Sequence, residues 1–230
     1  MRTVIAQWAV LLVVTFWLSS CGGPCCTQAT CPTGCTLPCC SAGWNDLLAE
    51  DLSNAISPTG SWTLAEGVLE RVGKGSLWTR DAYGDFVLDL EFKVAEKTNS
   101  GVFIRTGDIK KSVQTGIEIQ VFDSFGKETV GTHDCGAVYD CLAPSKNVMK
   151  AAGQWNSMTI TAKGSLLKIV MNGEQIIDMD LDDWNIAGQN PDGKKNKFKL
   201  ALSAFPRVGQ IGFQDHGKKV WYRNIRIKQL

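Results

Sequence analysis

Glu118 and Gln120 stand two apart in a run, Gly-Ile-Glu-Ile-Gln-Val-Phe-Asp at 116–123, in which Ile117, Ile119 and Val121 alternate with them. Successive side chains of a strand leave opposite faces, so the apolar three enter a core while the acid and the amide project together from the other side. A solvated strand face more often carries Lys, Thr and Ser. A carboxylate beside an amide therefore marks a surface that could bind a polar ligand or move a proton. At 99–105 (Asn-Ser-Gly-Val-Phe-Ile-Arg) the same alternation puts Asn99, Phe103 and Arg105 on one face. Near the C-terminus Ile211 and Phe213 point inward while Gln214 and His216 point out. Three strands thus offer Arg105, Glu118, Gln120, Gln214 and His216 to a polar sheet surface, and the pattern alone leaves a wet face and a sugar-binding cleft both open.

The chain has two histidines, His133 and His216, each beside an aspartate. His133 lies in a loop that also contains Cys135, Tyr139, Asp140 and Cys141, and a disulfide between Cys135 and Cys141 is expected to hold that loop rigid, as a catalytic loop must be. Glu118, Asp140 and His216 could together hold a divalent metal, although no H-x-x-H or H-E-x-x-H spacing demands one. No cofactor is indicated with certainty. No G-x-S-x-G, P-loop or G-x-G-x-x-G occurs, so serine-hydrolase and nucleotide readings have no support.

These residues need strands to carry them. Residues 86–94 set Phe86, Leu88, Leu90, Phe92 and Val94 on one side, with Asp89, Glu91 and Lys93 opposite. Residues 155–162, 166–171 and 220–228 alternate less strictly, and Asn172-Gly173 between two apolar runs predicts a type I′ hairpin. Only residues 44–50 and 145–151 look helical, and both are short. The expected fold is an all-β antiparallel sandwich of ten or more strands with one or two short helices.

Three segments are expected along the chain. Residues 1–20 read as an export signal, with Arg2, an apolar stretch over 8–18, and Ser19-Ser20 before Cys21. The stretch is shorter than the roughly 20 apolar residues of a spanning helix. Leu-Ser-Ser-Cys at 18–21 resembles a bacterial lipobox, making Cys21 the lipidated N-terminus. Residues 21–43, rich in Gly, Pro, Thr and Cys, form a tether stapled by disulfides of unassigned pairing, and 44–230 form one domain. An exported lipoprotein, anchored by its lipid alone and periplasmic or on the cell surface, is the expected location. With 24 Lys and Arg against 23 Asp and Glu, no basic face for nucleic acid is indicated.

Over 43–230 the sequence resembles the family once called domain of unknown function 1080, the 3-keto-disaccharide hydrolases or 3-keto-glucoside lyase and hydratases. The resemblance rests on Trp-Asn-Asp-Leu-Leu at 44–48, Tyr-Gly-Asp-Phe at 83–86, 99–105, Gly-Ile-Glu-Ile-Gln at 116–120 and Gly-Ala-Val-Tyr-Asp at 136–140. It continues through Gly-Gln-Trp-Asn at 153–156, Asn172-Gly173, Ile-Gly-Phe-Gln-Asp-His-Gly at 211–217 and Arg-Asn-Ile-Arg-Ile at 223–227. It implies a concanavalin A-like jelly roll and a sugar substrate oxidised at C3, cleaved by β-elimination of the C1 substituent and hydration of the glycal. By that chemistry Glu118 or His216 is the base, Arg105 or a divalent metal the enolate stabiliser, and Asp140 or His133 the acid. Asn99, Gln120, Gln214, Tyr139, Lys146 and Asn147 are the expected substrate contacts. Two rivals share the fold. A glucanase-like hydrolase would use Glu118, Gln120 and Asp123, but Gln120 replaces its central carboxylate. A non-catalytic carbohydrate-binding module would stack sugars on tryptophans such as Trp62, Trp78 or Trp184.

Overall fold

Strict alternation at Phe86–Val94 becomes the central strand of the larger sheet: Phe86, Leu88, Leu90, Phe92 and Val94 are all buried, and the residues between them are only half-buried. The computed structural model describes residues 43–230. Thirteen strands follow in chain order: β1 Asn45–Asp46, β2 Ala55–Ile56, β3 Trp62–Ala65, β4 Val68–Arg71, β5 Leu77–Tyr83, β6 Phe86–Val94, β7 Asn99–Thr106, β8 Ile117–Phe122, β9 Asn156–Lys163, β10 Leu166–Met171, β11 Glu174–Asp180, β12 Gly209–Phe213 and β13 Val220–Gln229. They pair antiparallel into an eight-stranded sheet, ordered β11-β10-β9-β6-β13-β4-β3 with β1 also on β13, and a five-stranded sheet ordered β2-β5-β12-β7-β8.

Between the sheets lies one apolar core to which both contribute, Phe92, Tyr222 and Ile169 from the larger and Ile117, Ile119, Val121, Ile211 and Phe213 from the smaller. Burial of this apolar surface, at about 25 cal/mol per Å², is what holds the layers together. The architecture is the antiparallel sandwich expected from the alternation and the jelly roll implied by the resemblance. Asn172 (φ 50°) and Gly173 (φ 83°) make the tight turn between β10 and β11. Both are in the left-handed region that a type I′ hairpin requires.

Three local expectations need correction. Residues 44–50 are not helical: Asn45 and Asp46 pair with Ile227 and Arg226, and the Leu47 N–H continues the pairing to the Ile225 carbonyl. Tertiary pairing overrides a weak local helix preference there. Residues 145–151 are irregular because their amides bond elsewhere, Ser145 to Ile176 O, Met149 to Asn147 Oδ1 and Lys150 to Asn156 Oδ1. The helical turn that does form is α1, Ser112–Thr115, together with short 3₁₀ turns.

Cys135 and Cys141 are free, buried thiols rather than a disulfide. Burial pushes the Cys135 thiol up to about 12 and raises Cys141 as well. Backbone pairing supplies the rigidity expected of the disulfide. The segment at 136–139 lies along the free edge of β8, with Gly136 N–H to Gln120 O (2.8 Å), Gln120 N–H to Ala137 O (2.9 Å) and Tyr139 N–H to Glu118 O (2.9 Å). The expected export signal, the expected tether up to residue 42 and the expected lipidation of Cys21 fall outside the described residues.

Candidate functional site

The outer face of the five-stranded sheet carries a second, smaller group of buried side chains that does not belong to the core. Trp78, Phe103 and Ala137 are buried yet separate from the apolar cluster between the sheets. Register explains the arrangement. Gly212 of β12 stands opposite Trp78 of β5 on one side and Phe103 of β7 on the other, and Phe103 stands opposite Glu118 of β8. One step along, Gln214 N–H bonds Gly101 O (2.9 Å), and Gly101 pairs with Gln120.

Two glycines shape this floor. A Cβ at Gly101 would overlap the Glu118 carboxylate, and one at Gly212 would overlap the Trp78 indole. Glycine inside a strand marks a place where another group lies close on the backbone. Here the Glu118 side chain folds down over β7 and the Trp78 ring over β12. Gly101→Ala should therefore displace the carboxylate from its seat. If that carboxylate is the base, turnover falls at least about tenfold, with circular dichroism unchanged. An alanine variant as active as the wild type would show that the seat is immaterial.

Glu118 is only 7% exposed. Burial raises its carboxyl pKa from 4.5 to about 7, while the Lys197 charge and the Gln214 amide pull it back toward ionisation. A carboxyl half ionised near neutrality can both take and return a proton. Around it the polar atoms are incompletely used. Gln120, 1% exposed, donates through Nε2 to Asn99 Oδ1 (2.7 Å), but its Oε1 is buried without a partner, and so is Gln214 Oε1. Two unused acceptors beside a carboxylate suit the hydroxyl donors of a sugar. Gln214 is fixed from beneath: Ser100 Oγ donates to its carbonyl (2.7 Å), and the buried Tyr222 hydroxyl meets Ser100 Oγ at 2.8 Å.

The loop beyond β8 forms the adjoining rim. His133 Nε2 lies 3.0 Å from Asp140 Oδ1, and its ring stacks at 4.7 Å on Tyr139. His133 and Asp140, the two alternatives for the acid, thus stand together, next to the strand that carries Glu118. Asp140 adopts φ 61°, a left-handed conformation that an aspartate tolerates better than most residues.

Other expected site residues lie elsewhere. Arg105 does not reach the polar face. An extra residue of β7 is inserted between Phe103 and Thr106 relative to β12, and Arg105 sits in that β-bulge at φ 51°. The bulge breaks the period of two and sends the guanidinium, 1% exposed, to Gly84 O (2.9 Å), Gly164 O (2.7 Å) and Asp85 Oδ1 (2.9 Å). His216 is exposed in the turn beyond Gln214 and, among the described residues, makes no side-chain hydrogen bond. Asp215, its neighbour, is the residue bound back to the sheet, by Gly75 N–H (2.8 Å) and Arg71 (2.7 Å). Lys146 pairs with Glu174 at 2.6 Å, and Asn147 caps local backbone through Ser124 O and Lys127 O. Both line a separate open groove with Lys127, Glu128 and Pro144. Of the suggested stacking tryptophans, Trp62 packs on Tyr222 in the core, Trp184 bonds Asn190 Oδ1, and Trp78 is on the polar face.

A divalent metal shared by Glu118, Asp140 and His216 does not fit these residues. Among the described residues no three His, Cys, Asp or Glu side chains stand close enough to hold one. Both Asp140 oxygens are already used, by His133 Nε2 and the Lys197 N–H.

Comparisons with known proteins place the domain in a family. The model of the 3-keto-alpha-glucoside-1,2-lyase-like domain matches residues 42–228. The chain belongs to that family. It is 25% identical over 205 residues to a 3-keto-disaccharide hydrolase of Bacteroides thetaiotaomicron, covering 74% of this chain and 70% of that one. A suspected glycosyl hydrolase from Parabacteroides distasonis, known from a crystal structure, is 34% identical with a TM-score of 0.76, over 81% of this chain and 99% of that one. A carbohydrate-binding module of Bacillus subtilis, 11% identical at a TM-score of 0.50 over 79% of this chain and 99% of its own, shares the fold alone.

Proposed function

We propose that this family member cleaves 3-keto-glucosides, with Glu118 as the base. The observation that carries the reading is a buried carboxyl poised near neutrality and lying over Gly101, between amides whose acceptors are unused. A C3 ketone acidifies the C2 proton. Glu118 takes that proton, the C2–H electrons form an enolate with C3, and their return expels the C1 oxygen to leave a C1=C2 double bond conjugated to the ketone. The His133–Asp140 pair, at the rim and connected to solvent, gives a proton to the departing oxygen. Water then adds at C1, giving its spare proton back to the His133–Asp140 pair, and the proton held by Glu118 returns to C2, so the net change is hydrolysis and both groups are restored.

A simple two-carboxylate hydrolase would need a second acid facing Glu118 across the sugar. The polar side chains beside Glu118 on this face are the amides Gln120 and Gln214, which cannot serve as that acid. The purified protein should release free sugar from a 3-keto-disaccharide, with a transient ultraviolet band from the conjugated ketone, and leave the unoxidised disaccharide intact. Equal turnover of both substrates would return the glucanase reading, and binding without turnover would make the protein a carbohydrate-binding module.

A further inference from the structure

Lys197 lies in a charge run, Lys194-Lys195-Asn196-Lys197, that reads as a solvated loop, yet its surroundings differ from those of its neighbours. Lys194 is bound to Asp192 at 2.9 Å, the ordinary fate of a surface lysine. At Lys197 it is the backbone that is held, from both sides. Its N–H donates to Asp140 Oδ2 (2.8 Å), and its carbonyl accepts from Gln114 Nε2 (3.1 Å), 57 and 83 positions away respectively. The next amide but one, Lys199 N–H, returns to Gln114 Oε1 (2.9 Å), so one glutamine grips the loop at two points. Asn190, which accepts from Trp184 Nε1 (3.0 Å) and Asn196 Nδ2 (2.8 Å), donates in turn to the Asp140 carbonyl at 3.1 Å.

So fixed a backbone aims the side chain. The Lys197 ammonium sits 3.8 Å from the centre of the Tyr139 ring, and Tyr139 is the residue whose N–H bonds the Glu118 carbonyl. Among the described residues no carboxylate lies within ion-pair distance of that ammonium. A cation held by a ring face keeps its charge available, whereas one paired with a carboxylate has spent it. Arg105, the sequence's candidate for this part, is committed to Gly84, Gly164 and Asp85 at the far end of β7.

We infer that Lys197 is a catalytic residue, the cation that meets the enolate oxygen formed at C3 when Glu118 removes the C2 proton. This rests on the 3-keto-glucoside reading. The ammonium donates a hydrogen bond to the developing oxyanion and keeps its own proton throughout. Its charge already acts on Glu118, whose ionisation it favours; Tyr222 and Cys135 beneath the sheet are held neutral by burial and do not compete.

The test compares Lys197→Met, Lys197→Arg and, as a control from the same run, Lys195→Met on a 3-keto-disaccharide. Losing one preorganised oxyanion partner costs about 100- to 1,000-fold in kcat. Lys197→Met should fall in that range, Lys197→Arg should retain part of the activity, and Lys195→Met should stay within about twofold of wild type. The acid limb of kcat/KM should also move to higher pH in Lys197→Met, because Glu118 loses the charge that favours its ionised form. Lys197 is exposed, so a melting curve matching wild type is expected and makes the kinetic comparison valid. Should Lys197→Met misfold, Gln114→Ala, which loosens only the loop's grip, must lower kcat by at least about fivefold or the proposal fails. Equal activity of Lys197→Met and Lys195→Met in a protein that turns the substrate over overturns the role of Lys197 alone. A wild-type protein without turnover overturns the underlying reading together with it.

Discussion

Glu118→Gln should lower turnover of a 3-keto-disaccharide by a factor of about 100 to 10,000, the cost of removing a general base. The amide fills the space over Gly101 and keeps the contact with Gln214, so the fold and the sugar's seat survive while proton abstraction does not. The same burial that lifts the carboxyl to about 7 sets the pH dependence. The base is the ionised form, so kcat/KM of the wild type should rise with pH through the neutral range and level off above it. Stability runs the other way. A folded-state pKa above the unfolded value means that the native protein binds more protons between the two. Stability is then highest below the unfolded value near 4.5 and is lost as pH rises toward 7. The shift corresponds to a cost on the order of 3 kcal/mol for holding the charge in the folded protein. Glu118→Gln, neutral at every pH, should therefore melt higher than wild type at pH 8 and nearly level with it at pH 5. A variant that is inactive but gains no stability at pH 8 would mean that Glu118 is well solvated, and a variant with wild-type kinetics would remove it from the reaction.

What could be read from the sequence followed the period of two, and what could not lay wherever that period is broken or wherever position is set from far away. Phe86–Val94 and Ile117–Phe122 were readable because one face of each meets the core, so the alternation is written directly into residue type. The same alternation found Glu118, Gln120, Asn99 and Gln214, and it failed at Arg105, two residues past Phe103, because one inserted residue reverses a side chain's direction. The short pairing of Asn45–Asp46 with β13 was hidden because two residues carry no period. Lys197 had no local signal at all. Its place depends on Asp140 and Gln114, which a window of neighbouring residues cannot contain. The Cys135 and Cys141 spacing suggested a covalent clasp, whereas both thiols serve as small core side chains and the loop is held by the edge of β8.

The second large effect belongs to Arg105, and it falls on stability rather than catalysis. Its guanidinium joins the two sheets at one end of the sandwich. From β7 it reaches the β5–β6 turn at Gly84 and Asp85 and the β9–β10 turn at Gly164, and Asp85 Oδ1 also accepts from Gly164 N–H at 2.9 Å. Removing it strands two carbonyls and one carboxylate that were all satisfied by a single planar fork. Arg105→Met should destabilise the protein by about 3 kcal/mol, the lower part of the range for breaking a buried charged pair, because Asp85 remains 40% exposed and can rehydrate. For a domain of this size that lowers Tm by roughly 6 to 12 °C. Arg105→Lys keeps the charge but can reach only some of the three acceptors, so it should fall between. Measured well below its own Tm, the Met variant should keep kcat and KM within about threefold of wild type, since nothing of the clamp touches Glu118. A hundredfold loss of kcat with an unchanged melting curve would put the guanidinium at the enolate after all, and would take from Lys197 the part assigned to it.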